Sequence, residues 1–228
     1  MNALEWKVAV GADVTTASYA PATAGKDIAT FICAHGAGGS MADRGMQATA
    51  AAMCARGFGM VRFNFLYRER KSSRPDAMPK LMDTTTAVVA RAREELGDPR
   101  PLLIGGRSMG GRAASMLAAE GFAADGLLLL AYPLHPAGQP TKLRVAHLAD
   151  IRMPVIAFSG TRDPLCTRSL MEDALTTVAA PWDMQWIDSA DHSFHVLKSS
   201  GTTDAAVLDY IADTSRSWVQ GLGGRSSS

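Results

Sequence analysis

No stretch of this 228-residue sequence is apolar for long enough to span a membrane. Glu5, Lys7 and Asp13 interrupt the N-terminal region before an apolar run of signal-peptide length accumulates. A soluble, cytoplasmic chain with no membrane partner is expected. Charge of one sign is also lacking: 23 Lys and Arg stand against 22 Asp and Glu, so no electrostatic drive toward nucleic acid exists. The short basic run from Arg68 to Arg74 reads as a solvated loop. Cysteine is scarce. Cys33, Cys54 and Cys166 are odd in number and widely separated, as in a reducing compartment, and read as small buried apolar residues. The five histidines are dispersed without ligand spacing, and no Gly-x-Gly-x-x-Gly fingerprint occurs in a strand-to-helix setting. No metal or nucleotide cofactor is therefore expected.

What is present is an ordinary globular composition, 47% hydrophobic and 20% charged, in which strand-like and helix-like runs alternate. Residues 5–10 and 15–20 read as a hairpin at the sheet edge, and 28–34 as a central parallel strand. Further strands are expected at 58–65, 101–105, 126–131, 154–158 and 183–187. Helices are expected at about 42–56, 80–96, 112–119, 167–178 and 203–222, with 66–79 a long polar loop and 132–147 irregular. Alternation of this kind requires right-handed crossovers, so the fold class is α/β: a mostly parallel sheet with helices on both faces. Without a linker or second core, one domain spans 1–222, and 223–228 is expected to be a disordered tail.

The chemistry concentrates in loops leaving strands. Gly106-Arg107-Ser108-Met109-Gly110 follows an apolar strand and opens a helix. That is the pattern of a nucleophile elbow, where small neighbours let strand and helix cross closely. The Met109 amide, at the helix start, is placed to receive an oxyanion. His35-Gly36-Ala37-Gly38-Gly39 follows another strand and suits a second donor, from the amide of Ala37 or alternatively Gly38, with His35 bracing the loop. Asp163 and His192 each follow a further strand, giving the order Ser, Asp, His. A serine hydroxyl needs an imidazole to take its proton, and the imidazole needs a carboxylate to orient it. Ser108 is thus the candidate nucleophile, His192 the base with His195 as competitor, and Asp163 the acid. Gly38, Arg107 and His135 are possible substrate contacts, Arg107 alternatively bracing a loop, and His135 and His147, in the irregular segment over the site, alternatively being exposed at the surface.

Across residues 6–222 the sequence resembles a small, uncapped α/β-hydrolase near the dienelactone-hydrolase-like branch. His35-Gly36-Ala37-Gly38, Phe63-Asn64-Phe65, Gly105 to Gly110 and Tyr132-Pro133-Leu134-His135-Pro136 through Lys142-Leu143-Arg144 carry the likeness. These pieces are similar to a group of predicted hydrolases that includes relatives of an animal chromatin-complex subunit. Gly160-x-x-Asp163 and Asp191-His192-x-Phe194 match the superfamily's acid and base positions. Dienelactone hydrolases use a cysteine where this sequence has Ser108, so their substrate is not implied. The resemblance implies a carboxylesterase-like serine hydrolase acting on a small or medium acyl substrate through an acyl-enzyme. Peptidase or acyltransferase use of the same residues, or a silent scaffold on a hydrolase fold, remains open. The sequence sets no oligomeric state.

Overall fold

The computed structural model describes residues 3–99 and 101–223. Eight strands form one sheet: β1 (Leu4–Val10), β2 (Asp13–Ala20), β3 (Ala29–Ala34), β4 (Phe58–Phe63), β5 (Leu102–Arg107), β6 (Gly126–Leu130), β7 (Val155–Gly160) and β8 (Trp182–Ile187). Their order across the sheet is β1-β2-β4-β3-β5-β6-β7-β8. From β4 to β8 every neighbouring pair is parallel, and the β1–β2 hairpin joins antiparallel at the β4 edge.

Side-chain alternation explains the layers. A strand buried on both sides must be apolar at every position, and successive residues serve opposite cores. In β3, Phe31 and Cys33 pack on one side while Ile32 and Ala34 pack on the other; in β6, Leu128 and Leu130 oppose Leu127 and Leu129. One face is covered by α1 (Arg44–Ala55) and α6 (Asp204–Gly223), through Met46, Met53, Ile211 and Trp218. The other is covered by α3 (Met78–Leu96), α4 (Met109–Ala119) and α5 (Arg168–Leu175), through Leu81, Val88, Ala113, Leu117 and Met171. The result is the expected three-layer architecture without a separate cap. Among the described residues no helix is long and apolar enough to cross a membrane.

Several boundaries differ from expectation. The stretch read as loop 66–79 contains a one-turn helix, α2 (Leu66–Glu69), and α3 begins at Met78 with Pro79 in its first turn, where a missing N–H costs nothing. β5 continues past Gly105 through Gly106 to Arg107, and β7 past Phe158 to Gly160, because the parallel ladder persists: Gly106 pairs with Ala34 and Leu129, and Gly160 with Ile187. α6 includes Gly223, one residue into the expected tail, while 224–228 lie outside the described residues.

Candidate active site

Ser108 is the hinge between β5 and α4, with φ 48° and ψ −116°. A non-glycine residue there carries roughly 1–3 kcal/mol of strain, so neighbouring bonds must hold it. They do: Ser108 N–H donates to the Leu130 carbonyl at 2.9 Å, and Arg112 N–H donates to the Ser108 carbonyl at 2.9 Å. The glycines on either side are needed because the chain crosses itself. A Cβ at Gly106 would lie 2.2 Å from the Ala34 carbonyl oxygen, and one at Gly110 would lie 2.6 Å from the Ala34 Cβ and 2.7 Å from the His35 carbonyl oxygen. Ala34 is therefore the point against which both the elbow strand and the elbow helix rest.

The three candidate residues meet at the carboxyl end of the sheet. His192 Nε2 lies 2.9 Å from Ser108 Oγ, and His192 Nδ1 lies 2.7 Å from Asp163 Oδ2. Asp163 is buried and the His192 side chain is 24% exposed. An ionised carboxylate only accepts, so Nδ1 carries the imidazole proton and Nε2 is free to accept from the serine hydroxyl. The other oxygen of Asp163 accepts the Leu165 N–H at 2.8 Å, which fixes the carboxylate's rotation. His195 is turned away, in an exposed pair with Asp204 at 2.9 Å.

The base sits in a loop stiffened from within. Asp191 Oδ1 accepts N–H bonds from Ser193 at 2.7 Å and His195 at 3.0 Å, while Phe194 is buried with a positive φ of 60°. Arg107, adjacent to Ser108, ties this loop to the elbow: its Nη2 donates to the His192 carbonyl at 2.8 Å and its guanidinium lies 5.7 Å from the Phe194 ring centroid. Burial pulls the Arg107 pKa below its ordinary value.

Across the serine lies the glycine-rich loop after β3. His35 is fully buried; its Nε2 accepts the Phe65 N–H at 3.1 Å, so Nδ1 is the donor to the Gly36 carbonyl at 2.8 Å. With both ring nitrogens engaged and burial depressing its pKa, His35 is a neutral brace, as its sequence position suggests. Ala37 lines the cleft. Met109 is the first residue of α4, so its N–H has no intrahelical acceptor. Gly38, the alternative donor, does not line the cleft, which favours Ala37 as the donor left for a ligand.

The cleft measures about 580 Å³ and is lined by Gly36, Ala37, Arg107, Ser108, Leu165 and His192, among others. Asp43 and Gly45 from the start of α1 also face it, as does Leu165; none belongs to a recognisable motif, and only their positions just past strand ends hint at the role. Two histidines are placed differently from expectation. His135, read as a possible substrate contact, is buried, with Nδ1 at 3.0 Å from the Pro136 carbonyl and Nε2 at 2.9 Å from Thr167 Oγ1. Both nitrogens are engaged in pinning the loop after β6 to the start of α5. His147, read as mostly exposed, is half-buried with Nε2 at 2.8 Å from Ser115 Oγ, and burial pushes its pKa down to about 4. Among the described residues no group of three or more His, Cys, Asp or Glu side chains is arranged to hold a metal ion.

Comparison with known proteins identifies the fold and the family. Solved structures with the same fold include an α/β serine hydrolase homologue from Coxiella burnetii, at TM-score 0.76 and 16% identity, covering 94% of this chain and 98% of that one. An α/β serine hydrolase without lid from Xanthomonas campestris gives TM-score 0.76 at 20% identity over 96% and 95% of the two chains. Dienelactone hydrolase from Anabaena variabilis gives TM-score 0.73 at 18% identity over 96% and 97%. The family described as an alpha/beta hydrolase domain matches residues 27–220, most of the sequence, and the chain belongs to that family.

Proposed function

We propose that the protein is a serine hydrolase that cleaves an ester, or a related acyl bond, of a small or medium substrate through an acyl-enzyme. The observation that carries the reading is the unbroken hydrogen-bonded chain from Ser108 Oγ to His192 and on to Asp163, at 2.9 and 2.7 Å. In this mechanism His192 Nε2 takes the hydroxyl proton as Ser108 Oγ bonds to the substrate carbonyl carbon. The oxyanion accepts from the amides of Ala37 and Met109, a contribution of roughly 3 kcal/mol per donor in the transition state. The leaving alcohol departs with the proton held by His192. Water then repeats the sequence: its oxygen bonds to the acyl carbon, its proton passes through His192, and Ser108 is released with the carboxylic acid. Asp163 stays ionised throughout and stabilises the imidazolium.

The open cleft suits a carboxylesterase acting without a lid, and the Tyr132 to Arg144 motif supports the finer placement near the chromatin-complex-subunit relatives. A fluorophosphonate probe tests the reading. Wild type is expected to be labelled at Ser108 and to hydrolyse acyl p-nitrophenyl esters, while Ser108→Ala loses the label and roughly 10⁴-fold or more of the rate. A folded wild-type protein that neither takes the label nor turns over any ester would refute it and leave a binding role.

A further inference from the structure

The cleft holds a cation that the serine chemistry does not use. Arg107 lines the wall beside Ser108 and also faces a second cavity of about 450 Å³, shared with Arg44, Gly45, Ser193, Phe194 and Asp204, whose carboxylate is held by His195 at 2.9 Å. Among the described residues no carboxylate comes within 4.0 Å of its guanidinium. The carboxylates whose fields reach it are Asp43, Asp163 and Asp191, and each is engaged elsewhere. Asp43 accepts from Ser40 N–H at 2.7 Å and Ser40 Oγ at 2.9 Å; Asp163 serves Leu165 and His192; Asp191 serves Ser193 and His195. Among the described residues Arg107 makes one hydrogen bond, to the His192 carbonyl, out of the five N–H groups a guanidinium carries. Room for it is provided by Gly45, where a Cβ would stand 3.3 Å from Nη1. None of its unused donors is a buried, unpartnered atom among the described residues, so they open onto the cavities, where an anionic ligand can reach them. A planar fork of donors is best matched by a carboxylate.

We propose that Arg107 receives a carboxylate carried by the substrate, so that the cleft selects anionic acyl compounds over neutral ones of the same size. The proposal rests on the serine-hydrolase reading and narrows its substrate class. The anion can belong to either half of the substrate, and matched esters separate the two. Mono-4-nitrophenyl glutarate against 4-nitrophenyl pentanoate places the charge on the acyl side. 3-(Butanoyloxy)benzoate against phenyl butanoate places it on the leaving group.

In wild type, kcat/KM is expected to favour the anionic member about tenfold or more in one arm, the effect of a charge-assisted hydrogen bond. Arg107→Met should bring that ratio to about twofold or less. An arginine that merely holds the His192 loop would slow both members alike and leave the ratio untouched, which overturns the proposal. Equal rates for charged and neutral esters in both arms of the wild type overturn it too. A second measurement needs no turnover: in Ser108→Ala, glutarate should raise the Tm more than neutral glutaramide, and the difference should vanish in Ser108→Ala/Arg107→Met. Equal effects of the two compounds on Ser108→Ala count against the site. Fluorophosphonate labelling of wild type runs alongside, so that loss of the hydrolase reading, with no label, is told apart from loss of anion selection, with label but no preference.

Discussion

Gly110 and Gly221 lie in helices, and the same substitution should act on them in opposite directions. Glycine in a helix interior is worse than alanine by about 0.5–1 kcal/mol, because alanine loses less freedom on folding. At Gly221, in α6, a Cβ would meet nothing within 4 Å. Gly221→Ala should therefore stabilise by up to about 1 kcal/mol, or roughly 2–4 °C in Tm for a domain of this size. At Gly110 the same gain is opposed by the crossing at Ala34, where the new Cβ meets three atoms at 2.6–2.7 Å, two of them backbone carbonyl oxygens. Restoring an ordinary contact of 3.4 Å requires about 0.7 Å of movement between the end of β3 and the start of α4. Overpacking of that kind costs about 1–3 kcal/mol. The clash outweighs the gain by up to about 2.5 kcal/mol, and Gly110→Ala should melt up to roughly 10 °C lower than wild type.

The same movement separates Ser108 and the Met109 amide from the Ala37 loop, and displacements near 1 Å cost about 100-fold in rate. Differential scanning fluorimetry of both variants, with the rate of fluorophosphonate labelling at Ser108, reads the two effects together. Gly110→Ala that melts at or above wild type and labels at the wild-type rate would show that the elbow does not rest on Ala34.

Strain at Ser108, with its positive φ, means that Ser108→Gly should melt about 1–3 kcal/mol more stably than Ser108→Ala, both inactive, as judged by urea titration. Asp163→Asn should stay folded by circular dichroism but lose roughly 10⁴-fold in kcat, because the amide no longer selects the imidazole tautomer that leaves Nε2 free. The Asp204 partner raises the pKa of His195, and His195 and the Val196 amide lower that of Asp204. That pair's stabilisation is present below the ordinary histidine pKa and above the ordinary aspartate pKa. It fades as pH rises through the folded His195 value or falls through the folded Asp204 value. NMR titration of Asp204→Asn should return His195 toward about 6.5. His147, depressed to about 4 by burial, contributes stability above about pH 6.5 that declines as pH falls toward 4; thermal melts of His147→Gln should show a flatter acid limb than wild type.

The layers and the three convergent loops were legible because they depend on local patterns. Doubly apolar runs such as 127–130 require cover on both sides, and loops that leave parallel strands in the same direction share an edge. Ser108, Asp163 and His192 met because each directly follows its strand, on β5, β7 and just after β8. Glycine misled where it served a crossing rather than a turn, so Gly106 and Gly160 read as lying beyond their strands yet remain in the ladder. His135 and His147 were misjudged for another reason. The segment 132–147 has no periodicity, and nothing local reveals that Thr167 and Ser115, about thirty residues away in each case, hold the two rings. That Arg107 braces a loop was readable beside the elbow, but not that the loop is the one carrying His192, since its partner lies 85 positions downstream.

Resting the elbow strand and the elbow helix on Ala34 has a mechanical outcome. The residue begins the loop that carries Ala37, so the hydroxyl and both proposed main-chain donors share a single anchor formed by backbone touching backbone. Heat or denaturant cannot loosen one of these parts while leaving the others in register. Labelling at Ser108 should therefore vanish in the same transition that parts β3 from β5, with no earlier, quieter stage in which the chain is still assembled but inert.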